Sequence, residues 1–360
     1  MSSDGVGWNE PEVEFSIPPV QIEDVVSSLR DARNSEHIGW QIRAWQAQKI
    51  HDEFGVTGHG IRVGVGDTGV SRQHLSGDLD NVVEQETFVG DRNPYDRNGH
   101  GSHCLGIIGA GNNDGGILGY APNCEMLSAK VLSDRGSGGD KGISDGIRWM
   151  VEDGASIISL SLGSPSPSQR ILNAIAYAHE NEVIVFAAAG NDGRSNNIDE
   201  PANSGQCIPV GAINSSLRLA NFSDRGRSLQ SKGFVAGGVN VYSTVSRGYA
   251  SYSGTSMATP GAAGQCALLQ SAEKKFLGEI KTNTMFKFLD VVDRFQVDLG
   301  PTGNDTSYGR GAFNIYGAVK ALAESERPKP EPEPNPPSPG GDGWETVYQN
   351  EAKDLRVQER

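Results

Sequence analysis

Short, uninterrupted apolar runs recur along the central part of the chain, each bounded by glycine or polar residues. Such runs are typical of strands that a sheet buries on both faces, because side chains on either face then meet apolar neighbours. We therefore predict four strands of a buried sheet. They are IRVGVGD (61–67), MLSAKVL (126–132), SIISLSL (156–162) and VIVFAAA (183–189).

Segments with helical periodicity separate these runs, namely HGSHCLGIIGA, ISDGIRWMVEDGA and ILNAIAYAHENE. In the second segment, Ile143, Ile147 and Met150 fall on one helical face. The alternation of strands and helices predicts an α/β fold, a mostly parallel sheet with helices on both faces. Because ligands in such folds bind at the carboxyl ends of the strands, polar residues just after the apolar runs are the candidates for chemistry.

Both ends of the chain differ from this central part. Residues 327–340, RPKPEPEPNPPSPG, contain seven prolines that alternate with charge, a composition that favours an extended polyproline II spacer. The residues before position 37 are acidic and poor in aliphatic side chains until IPPVQIEDVVSSL. We predict an N-terminal extension (1–37), a globular domain (38–325), a proline-rich linker (326–343) and a short tail (344–360).

Composition restricts the classes of function. The formal net charge of −14 argues against a nucleic-acid partner, which needs a basic surface. No apolar stretch approaches the roughly 18 to 20 residues that span a bilayer, so no membrane partner is expected. The N-terminus, MSSDGVGWNEPEVEF, has neither the basic nor the apolar region of a secretory signal. We expect a cytoplasmic protein and leave export by another route open.

Three polar residues stand where chemistry is expected. Asp67 ends the first apolar run, His100 precedes a helical segment in RNGHGSHCLG, and Ser256 begins another in YSGTSMATPG, with Pro260 expected in that helix's first turn. Alone, each is more simply a turn former, a capping residue or an N-cap. Together they supply the hydroxyl, the imidazole base and the orienting carboxylate of nucleophilic serine catalysis. Asn191, directly after a predicted strand in AAAGNDG, is a candidate oxyanion donor.

Five segments, in the order VGVGDTGV, NGHGSHCLGIIGA, SLSLGS, AAAGNDG and SGTSMATP, resemble the signature segments of the subtilisin-like serine proteases, or subtilases. The resemblance implies a three-layer α/β sandwich and a serine endopeptidase that works through an acyl-enzyme. It makes Asp67 the triad acid, His100 the general base, Ser256 the nucleophile and Asn191 the oxyanion donor. His103, the second histidine of its motif, would be structural and would face away from the triad.

Subtilases hold an extended peptide between two edge segments, and the resemblance assigns that role to seven residues of this chain. They are Gly136, Ser137, Gly138, Ser161, Leu162, Gly163 and, as a wall of the primary specificity pocket, Gly190.

The base of that pocket should come from GRSNNIDEPANSG, the loop after Asn191. Asp199 and Glu200 in this loop lead to the hypothesis of an acidic pocket that favours a basic residue before the cleaved bond. The alternative is that both are ordinary solvent-exposed carboxylates of the loop.

The loop GAGNNDGGILGYAP resembles the calcium loop of the family. The resemblance implies that Asn113 and the carbonyls of Gly111, Gly115 and Ile117 supply oxygen ligands, which suit calcium. Asp78 is the candidate carboxylate ligand, although its segment departs from the family pattern. Calcium is therefore a possible structural cofactor.

Four cysteines at these spacings indicate neither a disulfide scaffold nor a zinc site. Cys104 follows His103, as in the proteinase K-like branch of the family, and should lie close beneath the catalytic histidine. We expect all four cysteines to be reduced.

The segment FSIPPVQIEDV resembles the short, proline-containing extension of intracellular subtilisins, which lies across the active site. A proline pair would present a rigid bend that resists cleavage, so residues 1–37 are a candidate inhibitory propeptide. A disordered arm is the alternative. Peptides or proteins are the expected substrates. Two rival functions are a processing or transpeptidating subtilase with one dedicated partner and a catalytically silent peptide-binding protein.

Overall fold

A long twisted sheet passes through the computed structural model, which describes residues 12–26, 36–91, 93–113 and 115–325. The predicted linker and tail lie outside the described residues, as do parts of the predicted extension. The strands are β1 (Glu14–Ser16), β2 (Gln21–Val26), β3 (Glu36–His37), β4 (Arg62–Asp67), β5 (Val82–Thr87), β6 (Gly116–Ile117), β7 (Glu125–Lys130), β8 (Ser137–Gly139), β9 (Ile157–Leu160), β10 (Ile184–Ala188), β11 (Ile208–Ile213), β12 (Phe234–Gly237), β13 (Val241–Thr244), β14 (Tyr249–Ser253), β15 (Gln296–Val297) and β16 (Ala312–Phe313).

Helices cover the sheet and connect its strands. They are α1 (Trp40–Ala44), α2 (Ala47–Phe54), α3 (His100–Gly109), α4 (Asp140–Glu152), α5 (Gln169–Glu180), α6 (Arg227–Lys232), α7 (Thr255–Leu277), α8 (Met285–Arg294) and α9 (Ile315–Ser325), with a short 3₁₀ helix at His74–Ser76. Within the described residues, no helix combines the length and the apolar character needed to cross a membrane.

The nine-stranded sheet has the order β15-β16-β12-β11-β10-β9-β4-β7-β5. Every neighbouring pair is parallel except β15 with β16, at one edge. The carboxyl ends of β4, β9 and β10 therefore lie along one side of the sheet, which is the side where a ligand is expected.

Two hydrophobic clusters occupy the two faces of this sheet. One contains buried residues of α4 and α5, among them Ile147 and Ile175, and the other contains those of α3 and α7, among them Leu105 and Leu268. Because each face of the sheet has its own helical layer, the molecule is a three-layer sandwich. The predicted fold class is confirmed.

Each predicted strand is present, and its bounds differ from the prediction by at most two residues. The run at 156–162, for example, forms a strand only over Ile157–Leu160. Ser161 and Leu162, at the end of the run, lie beyond the strand but remain buried. A continuous apolar run marks burial rather than strand geometry, so it extends past the point where the backbone leaves the ladder.

The prediction that Pro260 lies in the first turn of its helix is wrong. The helix α7 begins at Thr255, so Pro260 lies in the second turn. A proline there has no N–H for the carbonyl of Ser256, four residues earlier. The Ser256 carbonyl instead accepts a hydrogen bond from Ser161, outside the helix. The proline therefore affects the surroundings of Ser256.

Candidate active site

Asp67 and His100 form a buried pair where β4 ends and α3 begins. Nδ1 of His100 lies 2.9 Å from Oδ1 and 3.0 Å from Oδ2 of Asp67, and both side chains are about 1% exposed. A carboxylate on Nδ1 leaves Nε2 as the ring atom available to accept a proton. Nε2 of His100 has no hydrogen-bond partner among the described residues.

The start of α3 is held by Asp96, a residue that the sequence analysis did not identify. Its carboxylate accepts hydrogen bonds from the backbone N–H of Gly99 at 2.8 Å and of Ser102 at 2.9 Å, and from Thr68 Oγ1 at 3.0 Å. Burial raises the pKa of Asp96, and these donors act against that shift. Asp96 thereby joins the strand end that carries Asp67 to the helix that carries His100.

Ser256 is the second residue of α7 and is completely buried beneath the N-terminal segment of the chain. Its backbone carbonyl, freed by Pro260, accepts a hydrogen bond from Ser161 Oγ at 2.8 Å and lies 3.5 Å from the Cys104 thiol. Its own Oγ is 3.5 Å from the carbonyl oxygen of Ser161. Ser161, which follows β9, and Cys104, in α3, therefore hold the backbone that carries the Ser256 hydroxyl.

Asn191 follows β10 and is oriented by Thr255, the first residue of α7. Oδ1 of Asn191 accepts hydrogen bonds from the N–H and from Oγ1 of Thr255, both at 2.8 Å. The amide oxygen is thus occupied, and Nδ2 is directed into the cleft. Such a pre-oriented amide is suited to stabilising an oxyanion.

The N-terminal segment lies across this cleft. The strand β1 pairs antiparallel with β8, with Phe15 opposite Gly138 and Ser16 opposite Ser137. Ser16 also exchanges two backbone hydrogen bonds with Gly163, at 3.0 and 2.9 Å. The segment therefore occupies the space between the two edge segments assigned to substrate binding.

The same segment reaches the candidate oxyanion donor. Ile17 N–H donates to the carbonyl of Gly136 at 3.0 Å, and Asn191 Nδ2 donates to the carbonyl of Pro19 at 2.9 Å. The Phe15 side chain is 1% exposed and belongs to the hydrophobic cluster that contains Leu162. Beyond Pro19 the chain continues into β2, which pairs with β14.

An ion-pair cluster lies beside Gly190, the predicted wall of the specificity pocket. Arg194 contacts Asp199 and makes hydrogen bonds of 2.5 to 2.9 Å to Asp224, a carboxylate with no exposure to solvent. Burial raises the pKa of both carboxyl groups, and Arg194 acts against that shift. Glu200, in contrast, accepts hydrogen bonds from its own loop.

Two of the candidate calcium ligands, Asp78 and Asn113, are in direct contact, and Gly111 lies beside them. Asp78 is buried, and its carboxylate lies 3.2 Å from the side-chain amide of Asn113, while Gly111 N–H donates to the Asp78 carbonyl. A Cβ on Gly116 would lie 2.4 Å from an Asp78 oxygen, so the loop wraps closely around the carboxylate. Tyr249 also donates to Asp78, at 2.7 Å. The Asp78 carboxylate thus accepts hydrogen bonds from Asn113 and Tyr249, and its oxygens are of the kind that binds calcium.

His103 and the cysteines have surroundings typical of structural residues. Nε2 of His103 lies 3.0 and 3.1 Å from the carbonyl oxygens of Val241 and Ala250, and its ring stacks on Tyr252. All four cysteines are buried and unpaired. Burial raises the pKa of the Cys104 thiol, which keeps it protonated and unreactive.

Comparison with known proteins identifies the family. The model of the Subtilase family matches residues 58–311. An alkaline protease of Alkalihalobacillus alcalophilus is 37% identical over 288 residues, which are 79% of this chain and 71% of that protein. Subtilisin Savinase of Lederbergia lenta is 37% identical and matched over its full length, and subtilisin E of Bacillus subtilis (strain 168) is 36% identical over 292 residues, 72% of its length.

The chain therefore belongs to the subtilase family and is a serine endopeptidase. The predicted family and activity are confirmed. Neither the transpeptidating nor the silent binding function gains support over this one.

Sequence reasoning missed three residues that support the site, Asp96, Thr255 and Arg194. Asp96 lies in DRNGH, where an Asp before a glycine turn is a common signal of a helix start. Thr255 lies within the serine motif itself. Arg194 had no signal, because its partner Asp224 is 30 residues away in sequence.

Proposed function

We propose that Ser256 is the nucleophile of this endopeptidase, with His100 as general base, Asp67 as the orienting acid and Asn191 as oxyanion donor. Each assignment is supported by position. Asp67 ends a strand of the parallel sheet and Asn191 follows another, while His100 and Ser256 lie in the first turns of α3 and α7. The observation that carries the proposal is the buried contact between Asp67 and Nδ1 of His100, 2.9 Å long, because it leaves Nε2 to act on a hydroxyl.

The reaction follows the chemistry of this group of residues. His100 Nε2 removes the proton of the Ser256 hydroxyl as Oγ attacks the peptide carbonyl carbon, and the resulting oxyanion accepts a hydrogen bond from Asn191 Nδ2. His100 then protonates the leaving amine, and the peptide C–N bond breaks. Water, deprotonated by His100, hydrolyses the acyl-enzyme and releases Ser256.

Labelling with a fluorophosphonate probe tests this assignment. We expect the Ser16→Pro chain, in which residues 12–26 lose a backbone hydrogen bond to the cleft, to be labelled, and the same chain with Ser256→Ala to be unlabelled. Ser325→Ala in the Ser16→Pro chain, a change on the exposed face of α9, should label like its parent. Labelling that persists in Ser256→Ala would show that another residue is the nucleophile.

We further propose that residues 12–26 act as a built-in inhibitor. The segment makes the backbone hydrogen bonds that a peptide substrate would make to Gly163 and Gly136, so the two compete for one cleft. Ser16→Pro removes the N–H donated to Gly163 and should raise kcat/KM on a short peptide by about tenfold or more, whereas Ser16→Ala keeps that N–H and should not. Equal rates for all three chains would refute inhibition by this segment.

We propose that calcium binds at Asp78 and Asn113, with the carbonyls of Gly111, Gly115 and Ile117 as further ligands. The ion would hold the loop together and take no part in the reaction. A chelator should lower the melting temperature of the inactive Ser256→Ala chain, and Asp78→Asn should abolish the response to added calcium. A melting temperature that is the same with chelator and with calcium would exclude the site.

We propose a cytoplasmic site of action, supported by four buried, unpaired cysteines, which are typical of proteins in reducing compartments. Fractionation of the native cells, followed by immunodetection of the chain, tests it. Recovery of the chain in the medium or the cell envelope would refute it.

A further inference from the structure

The walls of the pocket beside Asn191 are two glycines, and a carboxylate lies between them. A Cβ added to Gly163 would lie 2.7 Å from Oδ2 of Asp199, and one added to Gly190 would lie 2.8 Å from the same oxygen. The backbone of Gly190 also has φ of +110°, which favours glycine. Asp199 Oδ2 therefore lies against two bare stretches of backbone, where a Cβ on either glycine would collide with it.

The two oxygens of Asp199 are not equivalent. Oδ1 contacts the guanidinium of Arg194, whereas Oδ2 makes no hydrogen bond to any residue within the described ranges. The residue as a whole is 8% exposed. A carboxylate oxygen that lacks a partner in such a mostly buried residue favours a cationic hydrogen-bond donor.

Arg194 does not neutralise the cluster. Its side chain is held to Asp224 through Nε and a terminal nitrogen, and it also contacts Asp199 and lies 3.3 Å from Asp192. Three carboxylates against one guanidinium leave two formal negative charges at the base of the pocket. The field at Asp199 Oδ2 is therefore negative even with Arg194 in place.

We infer that the enzyme cleaves after lysine or arginine, and that Asp199 is the specificity-determining residue. The inference rests on the proposed function of this cleft, since it places the side chain before the cleaved bond between Gly163 and Gly190. An ammonium or guanidinium at the end of a long aliphatic stem would donate to Oδ2 of Asp199. The same stem without the charge would leave that oxygen without a partner.

The test compares peptides that differ only at the residue before the cleaved bond, with lysine in one and norleucine in the other. Both are measured on the full-length chain, because occupancy of the cleft by residues 12–26 lowers both rates by the same factor and cancels in the ratio. We expect kcat/KM to be about 10- to 100-fold higher for lysine, the range of a charge-assisted hydrogen bond. A ratio of one or below overturns the inference.

Asp199→Asn keeps the size of the side chain and an oxygen for Arg194, and it should reduce the lysine-to-norleucine ratio to about one to three. Asp145→Asn, which removes a half-exposed carboxylate that pairs with Lys141 on α4, should keep the parental ratio. An unchanged ratio in Asp199→Asn assigns the preference to another group and refutes the role of Asp199. If Asp199→Asn does not fold, the ratio measured on the parent chain still decides the lysine preference.

Failure of this inference is distinguishable from failure of the proposed function. A chain that reacts with the fluorophosphonate probe at Ser256 and cleaves norleucine peptides at least as well as lysine peptides keeps its function and loses the specificity. A chain that reacts with no probe and cleaves neither peptide loses both.

Discussion

The side-chain amide of Asn191 donates a hydrogen bond of 2.9 Å to the backbone carbonyl of Pro19, 172 residues earlier in the chain. The group that we assign to the oxyanion of a substrate is therefore occupied by a carbonyl of the protein itself. The amide is held for this task on its other side, where Thr255 saturates Oδ1. The segment that we propose as an inhibitor and the amide that we propose as oxyanion donor thus share one hydrogen bond.

Replacing Asn191 with alanine should lower kcat by about 10² to 10³. This magnitude is the one known for an oxyanion donor in subtilisin, a relative of this chain, and does not follow from the distances above. Steady-state kinetics on a peptide substrate measures it, with KM expected to change far less than kcat. A rise in KM with kcat unchanged would mean that Asn191 binds the ground state and the transition state equally.

Thr255→Val should lower kcat by about tenfold, because Asn191 loses one of the two donors that orient its amide. Thr259→Val is the matched control, since the Thr259 hydroxyl bonds only to the carbonyl of Thr255 within α7 and does not touch Asn191. We expect full kcat in this control. Equal losses in the two variants would point to a general effect on the helix instead of positioning.

Ser161→Ala should lower the free energy of unfolding by about 1 to 2 kcal/mol, because the Ser256 carbonyl loses its 2.8 Å hydrogen bond and remains buried. Pro260→Ala supplies a helical N–H to the same carbonyl. In a Pro260→Ala background, Ser161→Ala should therefore lower the free energy of unfolding by less. Urea unfolding of chains inactivated by Ser256→Ala measures the effect of Ser161→Ala with and without Pro260→Ala. Additive effects of the two changes would contradict a shared role at the Ser256 carbonyl.

His103 makes stability depend on pH, because burial lowers its pKa to about 3. The unfolded chain, in which this histidine titrates near its ordinary value of about 6.5, binds more protons between these two pH values. The free energy of unfolding therefore falls as the pH falls through that window. Because of His103, the free energy of unfolding should be about 2 kcal/mol smaller at pH 5 than at pH 8.

The difference between the free energies of unfolding of the parent and of His103→Gln isolates this contribution. Both are measured by urea unfolding in the Ser256→Ala background. Glutamine keeps an N–H donor for the carbonyls of Val241 and Ala250 but does not titrate. A difference between the two chains that is constant from pH 8 to pH 5 would show that His103 is protonated equally in both states.

The fold class and the candidate catalytic residues were accessible from local patterns. Continuous apolar runs such as that before Asp67 report burial on both faces of a strand, and glycine-flanked motifs around His100 and Ser256 mark the turns beside it. Each of these signals spans about ten residues or fewer along the chain, so no knowledge of topology was needed to find it.

These sequence patterns did not predict contacts that depend on the topology of the fold. The sequence placed Asp199 beside the pocket but left open whether it was a pocket residue or a solvent-exposed one, and it did not distinguish it from Glu200. In the structure, Glu200 turns to its own loop, while Asp199 meets Arg194 and the bare backbone of Gly163 and Gly190. The direction of a side chain in an irregular loop cannot be predicted from sequence periodicity, because such a loop has no regular repeat.

The sequence by itself determined the layered α/β architecture, the family and a set of four candidate catalytic residues, because burial periodicity and short motifs are local properties. Only the tertiary structure decided that Pro19 lies at Asn191, that Pro260 frees the Ser256 carbonyl for Ser161, and that Arg194 leaves one oxygen of Asp199 open. Those contacts join residues from 5 to 172 positions apart. They exist because the parallel sheet brings the ends of separate strands to a single edge.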